Sequence, residues 1–317
     1  MLVNGQWTKH WDPYQHTSDK GEFVRQTSSF RSWVTTDGSA GATGSAGFKA
    51  EPGRYHLYVA YICPWASRTL MLLKLKGLED VISVSVVEPR LSEEGWRFGH
   101  FPGASTDALY GARHLHELYT RADSHVSGRA TVPVLWDKKT HTIVNNESAD
   151  ILLMLNQAFE AWATQKINLR PDDLIDEIDS LNASLYQQLN NGVYRAGFAK
   201  SQEAYESAVV DVFTMLNTLE HRLKNRRYLF GERLTESDVR LFVTLIRFDA
   251  AYYGLFKCNL KRIAEYRHLS SYMERIYTLP GIAETVRLDH IKTGYYSVKA
   301  LNPNGIVPLG PRFTFIR

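Results

Sequence analysis

The chain has 317 residues, 44% hydrophobic and 22% charged, with 37 basic against 34 acidic side chains and a net charge of +3. This length points to two domains, and the balance excludes disordered, collagen-like and coiled-coil chains. The small, mixed charge argues against a nucleic-acid surface, no run reaches the ~18–20 apolar residues of a membrane span, and two cysteines cannot make a disulfide scaffold.

Met1 to Trp11 is polar and aromatic, unlike a secretory leader, so a reducing, cytoplasmic setting is expected. Residues 1–54 show no sustained period and read as an N-terminal extension. Within it, Gly38 to Gly47 (GSAGATGSAG) is nearly free of large side chains and reads as a flexible loop, not a triple helix. Tyr55 to Ile62 is rich in aromatic and β-branched residues, as in a buried strand. A helix is expected from the proline at Pro64 to Gly77, the usual N-terminal proline and C-terminal glycine. Val81 to Val87 reads as a second strand, giving β-α-β with a right-handed crossover. An insertion, roughly 88–126, must supply a further helix, expected around Leu109–Tyr119. Val132–Trp136 and His141–Val144 flank Asp137-Lys138-Lys139-Thr140 as a hairpin, and an apolar helix follows over Ala149–Leu155. The order is that of a thioredoxin-like α/β domain with a mixed four-stranded sheet, over 55–164.

From about residue 172 the period becomes helical. Leu174, Ile178, Leu181, Leu185 and Leu189 keep 4-3-4-4 spacing, and Tyr205 to Leu223 continues the pattern. The basic run Lys224-Asn225-Arg226-Arg227 reads as the charged end of a helix. Thr235 followed by Asp238 forms a capping box for a helix running to about Tyr253, with Leu234 placed to staple onto Val239. An all-α second domain is expected over 165–290. A C-terminal extension, 291–317, follows, extended from Asn302 because of Pro303, Pro308 and Pro311.

Cys63 lies where a strand ends and a helix begins. There the helix dipole and free N–H groups would stabilise a thiolate and lower its pKa from ~8.5 toward 7 or below; the other reading is a buried, inert thiol. Ala66 stands where a dithiol motif would place its second cysteine, and Cys258 reads as packing. A reactive Cys63 would therefore be resolved by an outside thiol through a mixed disulfide. Val132-Pro133 reads as an edge-strand proline or as a cis bond that turns the Val132 backbone outward to pair with an extended peptide. Glu147-Ser148 reads either as a helix cap or as a pair that would hold a peptide's ammonium and carboxylate groups.

These positions together resemble the glutathione transferases, and within them the Xi class, the glutathionyl-hydroquinone reductases. The resemblance is carried by Cys63-Pro64-Trp65-Ala66, Arg68-Thr69-Leu70, Lys74 to Glu79, Gly95-Trp96, Gly128-Arg129, Thr131 to Asp137, Asn146-Glu147-Ser148, Asn191 to Tyr194, Ala196 to Ala199, Leu234 to Asp238, Arg247-Phe248-Asp249 and Asn302-Pro303. It covers nearly the whole chain. It implies Cys63 as nucleophile, and Trp96, Arg129, Val132, Glu147 and Ser148 as glutathione-holding positions. It also implies Tyr194, Tyr252 and Tyr295 as the lining of an aromatic substrate pocket, with Tyr253 and Tyr296 one residue out of register. Two departures from the family pattern are Ser67 and Gly294, each standing where histidine is frequent.

The implied activity is reductive deglutathionylation of glutathionyl-hydroquinones, with glutathione as cosubstrate and no other cofactor or metal. Glutathione and glutathionylated aromatic molecules would be the partners, without nucleic acid or membrane, in a homodimer joined through the helical domains. Two alternatives share part of the pattern: an Omega-like thiol transferase or dehydroascorbate reductase, and a non-catalytic glutathione-fold binding protein. The latter would not need an exposed cysteine at a helix start.

Overall fold

The computed structural model describes residues 1–9, 17–43 and 47–316. They form two compact units. The first comprises the described parts of Met1–Trp11, Thr27–Ile167 and Glu284–Ser297, and the second those of Asp12–Gln26, Asn168–Ala283 and Val298–Arg317.

The first unit opens with an antiparallel hairpin, β1 (Leu2–Val3) and β2 (Gln6–Trp7), followed by a parallel pair, β3 (Trp33–Thr35) and β4 (Gly47–Lys49). The main sheet has four strands. β5 (Tyr55–Val59) leads into α1 (Pro64–Lys76), then β6 (Ser83–Val86), α2 (Leu115–Ala122), β7 (Val134–Asp137), β8 (Thr142–Asn145) and α3 (Ser148–Gln157). The strand order is β6-β5-β7-β8, parallel between β5 and β6 and antiparallel elsewhere. All five residues of β5 are buried, as its aromatic and aliphatic composition requires of a central strand. Gly77 ends α1 in the left-handed conformation at φ 59°.

Three sequence expectations are corrected. The insertion's helix begins at Leu115, later than expected. Upstream, the buried Asp107 carboxylate accepts the backbone N–H groups of Leu109, Tyr110 and Ala112 and the Tyr58 hydroxyl at 2.8–3.1 Å, which holds that stretch as a turn. Helix α2 starts where His114 and Glu117 complete a capping box. In the glycine-rich stretch, read as a flexible loop, Gly41 and Gly47 are held in close contact. A Cβ on Gly41 would stand 1.9 Å from Trp33 Cγ, and one on Gly47 1.8 Å from the Ser39 carbonyl oxygen. Its residues 44–46 lie outside the described residues. Finally, residues 284–297, including a further helix over Leu288–Tyr295, group with the first unit and not with the helical one.

The second unit is helical among its described residues: α4 (Ile175–Ser184), α5 (Gly192–Gly197), α6 (Gln202–Arg222), α7 (Glu236–Arg247) and α8 (Arg267–Tyr277). Wide π-helical turns extend α4 over Leu185–Asn190 and α7 over Phe248–Tyr252. The expected capping box at Thr235 is present, and it is fully buried. Asp238 accepts Thr235 N–H at 2.8 Å, Leu229 N–H at 2.9 Å and the Tyr272 hydroxyl at 2.8 Å. We label the helix Leu288–Tyr295 of the first unit α9. Beyond a turn at Asn302 the chain has no regular structure to residue 313.

Candidate active site

Cys63 is the N-cap of α1, with extended backbone (φ −76°, ψ 116°) and Pro64 immediately inside the helix. The fold fixes it from both sides: its N–H donates to Ala60 C=O at 3.0 Å, and its C=O accepts Ser67 N–H at 2.9 Å. The residue is half-buried, and Sγ donates to the Val132 carbonyl oxygen at 3.6 Å. The Val132-Pro133 bond is cis, the second of the two readings of that dipeptide. No acidic side chain occupies the first turn of α1 to oppose negative charge on the sulfur. The strand end that delivers Cys63 and the segment that delivers Val132 thus meet at one sulfur atom. Cys258 is different. It is fully buried in the second unit, and burial pushes its thiol far above the ordinary range.

The start of α3 supplies a second cluster in the same unit. Glu147 caps the helix by accepting Ala149 N–H at 3.2 Å. Its other carboxylate oxygen accepts the Ser28 hydroxyl at 2.9 Å, and its own N–H donates to Asn145 Oδ1 at 2.7 Å. Ser148 is buried, and its Oγ accepts from Arg68 Nη1 at 3.4 Å. Arg68 is itself buried, with its guanidinium 4.5 Å from the centre of the Trp65 ring. Trp96 and Arg129 are half-buried on two loops of this unit, and the Trp96 carbonyl accepts Leu115 N–H at 2.9 Å.

Of the three predicted pocket tyrosines, Tyr194 and Tyr252 meet in the second unit. Their ring centroids lie 5.9 Å apart, edge to face, and both pack on Phe256. Tyr252 is fully buried, whereas Tyr253 is half-buried beneath Arg262. Each of the two tyrosines follows or closes a π-helical turn, a distortion frequent at functional sites. Tyr295 sits at the end of α9 in the first unit, buried. That helix is anchored near Cys63. Gly294 abuts Ile62, and Arg287 Nη2 and His290 Nε2 reach Pro102 C=O at 3.0 and 2.7 Å.

Sequence reasoning missed four residues at these clusters. Ser28, on Glu147, and Arg25, whose guanidinium lies 4.8 Å over the Tyr194 ring and bonds Asn191, come from a stretch without periodicity. Tyr61 packs edge to face on His290. Arg68 carried a signal, a cation near the start of α1 whose side chain the apolar run around it would bury. Among the described residues, no group of His, Cys, Asp and Glu could hold a metal ion, and no helix is long and apolar enough to cross a membrane.

A mixed four-stranded sheet with a cysteine at its first helix start, joined to a helical unit, defines a glutathione transferase. The glutathione S-transferase N-terminal domain family matches residues 62–158, and the C-terminal domain family matches residues 202–275. The chain is 53% identical to glutathionyl-hydroquinone reductase YqjG of Escherichia coli K12, over 98% of this chain and 95% of that protein. It is 46% identical to glutathionyl-hydroquinone reductase PcpF of Sphingobium chlorophenolicum, over 98% and 96%. A glutathione-bound structure of YqjG superposes with a TM-score of 0.91 at 50% identity, covering 100% of this chain and 97% of that one. A glutathione-S-transferase Xi from Phanerochaete chrysosporium gives 0.88 at 47%, over 93% and 95%. The chain belongs to the glutathione transferase family, and within it to the Xi class of glutathionyl-hydroquinone reductases.

Proposed function

We propose that this protein is a glutathione-dependent reductase of glutathionyl-hydroquinones with Cys63 as its nucleophile. The observation that carries the assignment is the placement of Cys63 as the N-cap of α1, half-buried, with its sulfur 3.6 Å from the Val132 carbonyl. The Cys63 thiolate attacks the sulfur of the aryl thioether. The carbon–sulfur bond breaks, its electron pair passes to the ring carbon, and that carbon takes a proton. Hydroquinone leaves, and a disulfide joins Cys63 to glutathione. A second glutathione thiolate then attacks the glutathione sulfur of that disulfide, forming oxidised glutathione and restoring the Cys63 thiolate.

The peptide is held by complementary groups. The Val132 backbone pairs with its extended main chain. Ser148 and the N–H groups opening α3 take the γ-glutamyl carboxylate, and Glu147 takes the ammonium. Arg129 takes the glycine carboxylate, and Trp96 covers the peptide. Buried Arg68, bonded to Ser148, adds positive charge behind the carboxylate. Tyr194, Tyr252 and Tyr295 hold the quinol oxygens and supply the proton. Glutathione and glutathionylated aromatics are thus the partners, and the protein works as a homodimer in the cytoplasm.

The test is Cys63→Ser with a panel of glutathionyl-hydroquinones, products read by mass spectrometry. Turnover is expected to vanish while glutathione binding persists, because serine cannot form the mixed disulfide. Turnover above a small fraction of wild type would overturn the mechanism. Tyr→Phe at 194, 252 or 295 should lower hydroquinone turnover by about tenfold or less, the worth of one hydrogen bond. Reduction of a simple disulfide should be unchanged. Loss of both rates together would make the tyrosines structural.

A further inference from the structure

The β1–β2 hairpin bonds two separate loops of the first unit. On one side, Leu2 and Gly128 exchange backbone hydrogen bonds at 2.9 and 3.0 Å, Gly5 N–H donates to Val126 C=O at 2.9 Å, and Asn4 N–H donates to Ser127 Oγ at 3.0 Å. The Thr120 hydroxyl closes this side on Gly5 C=O at 2.9 Å. Gly5 sits at φ +73°, where an added Cβ would stand 2.0 Å from the Ser124 carbonyl oxygen, so only glycine lets the hairpin approach this closely. The residue after Gly128 is Arg129.

On the other side, Trp7 Nε1 donates to Glu93 C=O at 3.0 Å, and the Trp7 ring lies against Gly95, where an added Cβ would come within 3.0 Å. The same ring stacks on His116 at 4.6 Å, and His116 stacks on His114 at 5.4 Å. His114 faces Glu94 and Glu117, each at 3.4 Å, and pairs as a bridge with Arg97. Trp7 therefore holds the loop from Ser92 to Arg97 at Glu93 and Gly95. The residue after Gly95 is Trp96.

We propose that the β1–β2 hairpin is a positioning element of the glutathione site, with Trp7 and Gly5 as its positioning residues. It ties the loop carrying Trp96 to the loop carrying Arg129 and fixes the span between the group that covers the peptide and the cation for its glycine carboxylate. The inference rests on the reading of Trp96 and Arg129 as glutathione contacts. The Cys63 backbone is bonded to Ala60 and Ser67, and its sulfur to the Val132 carbonyl. The hairpin should thus act on recognition of the whole peptide and not on the reactivity of the sulfur.

The test compares Trp7→Ala, Gly5→Ala, Trp96→Ala and Arg129→Ala with wild type. The KM for a glutathionyl-hydroquinone and kcat are measured with glutathione in excess, then the constants for 2-mercaptoethanol as the resolving thiol with the adduct saturating, and the rate of Cys63 alkylation by iodoacetamide. Trp7→Ala and Gly5→Ala should each raise the glutathionyl-hydroquinone KM about tenfold or more. The kcat at saturating glutathionyl-hydroquinone, the 2-mercaptoethanol constants and the alkylation rate should stay within about twofold. Trp7→Phe, which keeps a ring on His116 but lacks the N–H, should recover part of the loss. If Trp96→Ala and Arg129→Ala raise the KM while the hairpin variants leave it unmoved, the glutathione assignment stands and the hairpin proposal falls. If the hairpin variants raise it while Trp96→Ala and Arg129→Ala do not, the assignment of those two contacts fails and the proposal with it. Should a hairpin variant fold poorly, hydrogen exchange on the wild type decides: saturating glutathione should slow the Leu2 and Gly5 amides. Unchanged amides would overturn the coupling.

Discussion

Gly294 is packed so closely that a single added methyl group has a definite cost. A Cβ built there would stand 2.2 Å from Ile62 Cδ1 and 2.5 Å from the Pro89 carbonyl oxygen, far inside the ~3.5–4.0 Å of ordinary carbon contact. Ile62 can turn aside at some cost, but the Pro89 carbonyl belongs to backbone. Helix α9 must therefore lift, against its anchors from Arg287 and His290 to Pro102. Overpacking of this kind costs about 1–3 kcal/mol, so Gly294→Ala should lower the unfolding free energy by that amount, seen as a lower denaturation midpoint with an unchanged slope. Ile62→Ala opens the space that the new methyl group needs. The double variant should be less destabilised than the sum of the singles, by more than about 0.5 kcal/mol. Because Tyr295 is the next residue, hydroquinone turnover should fall in Gly294→Ala and recover in the double variant, while Cys63 alkylation holds throughout. Wild-type stability in Gly294→Ala, or strict additivity, would refute the packing argument.

Other outcomes follow from single groups. Asp238→Ala strands the buried donors of Leu229, Thr235 and Tyr272, each worth about 1–3 kcal/mol when left unpaired, so denaturation should show a loss of several kcal/mol. A loss below about 1 kcal/mol would mean that water reaches those donors. His56 lies between Ser83 Oγ and Ser85 Oγ, and burial lowers its pKa to about 4. The folded protein then binds fewer protons than the unfolded chain between about pH 6.5 and 4, so stability should fall as pH falls through that window. His56→Gln should remove close to one proton from the slope, and an unchanged slope would contradict the assignment. Cys258→Ser should leave turnover near wild type, and a large loss would revive a disulfide between the two cysteines. Light scattering at micromolar concentration should give the mass of a dimer, and a monomer would count against the homodimer.

Much of the main sheet was legible because its strands and helices carry strong local marks. Proline and glycine bracket α1, aromatic and β-branched runs mark β5 and β7, and Thr235 with Asp238 marks α7. Cys63 and the α3 start were legible for the same reason, since helix termini announce themselves in sequence. What stayed hidden depended on distant partners. Nothing local in Ser28 says that it will meet Glu147, 119 positions on. The late start of α2 is dictated by a buried Asp107 whose four donors come from two elements. Gly41 and Gly47 looked slack because absence of a side chain has two meanings, freedom or close approach, and only Trp33 and Ser39 decide between them. The family resemblance chose the pocket tyrosines, but the π-helical turn that ends at Tyr252 leaves no pattern in residue type.

The grouping of residues 284–297 with the first unit bears on how the chain is made. Ribosomes deliver a polypeptide from its amino end, and units usually fold as they emerge. Here the segment that covers Ile62, Pro89 and Pro102 is synthesised only after Asn168–Ala283 has already appeared. The nascent thioredoxin-like unit must wait, with that face bare, until nearly the end of translation. Stop codons or proteolytic cuts after residue 283 would therefore injure the cysteine-bearing unit, although every residue of its sheet would be present.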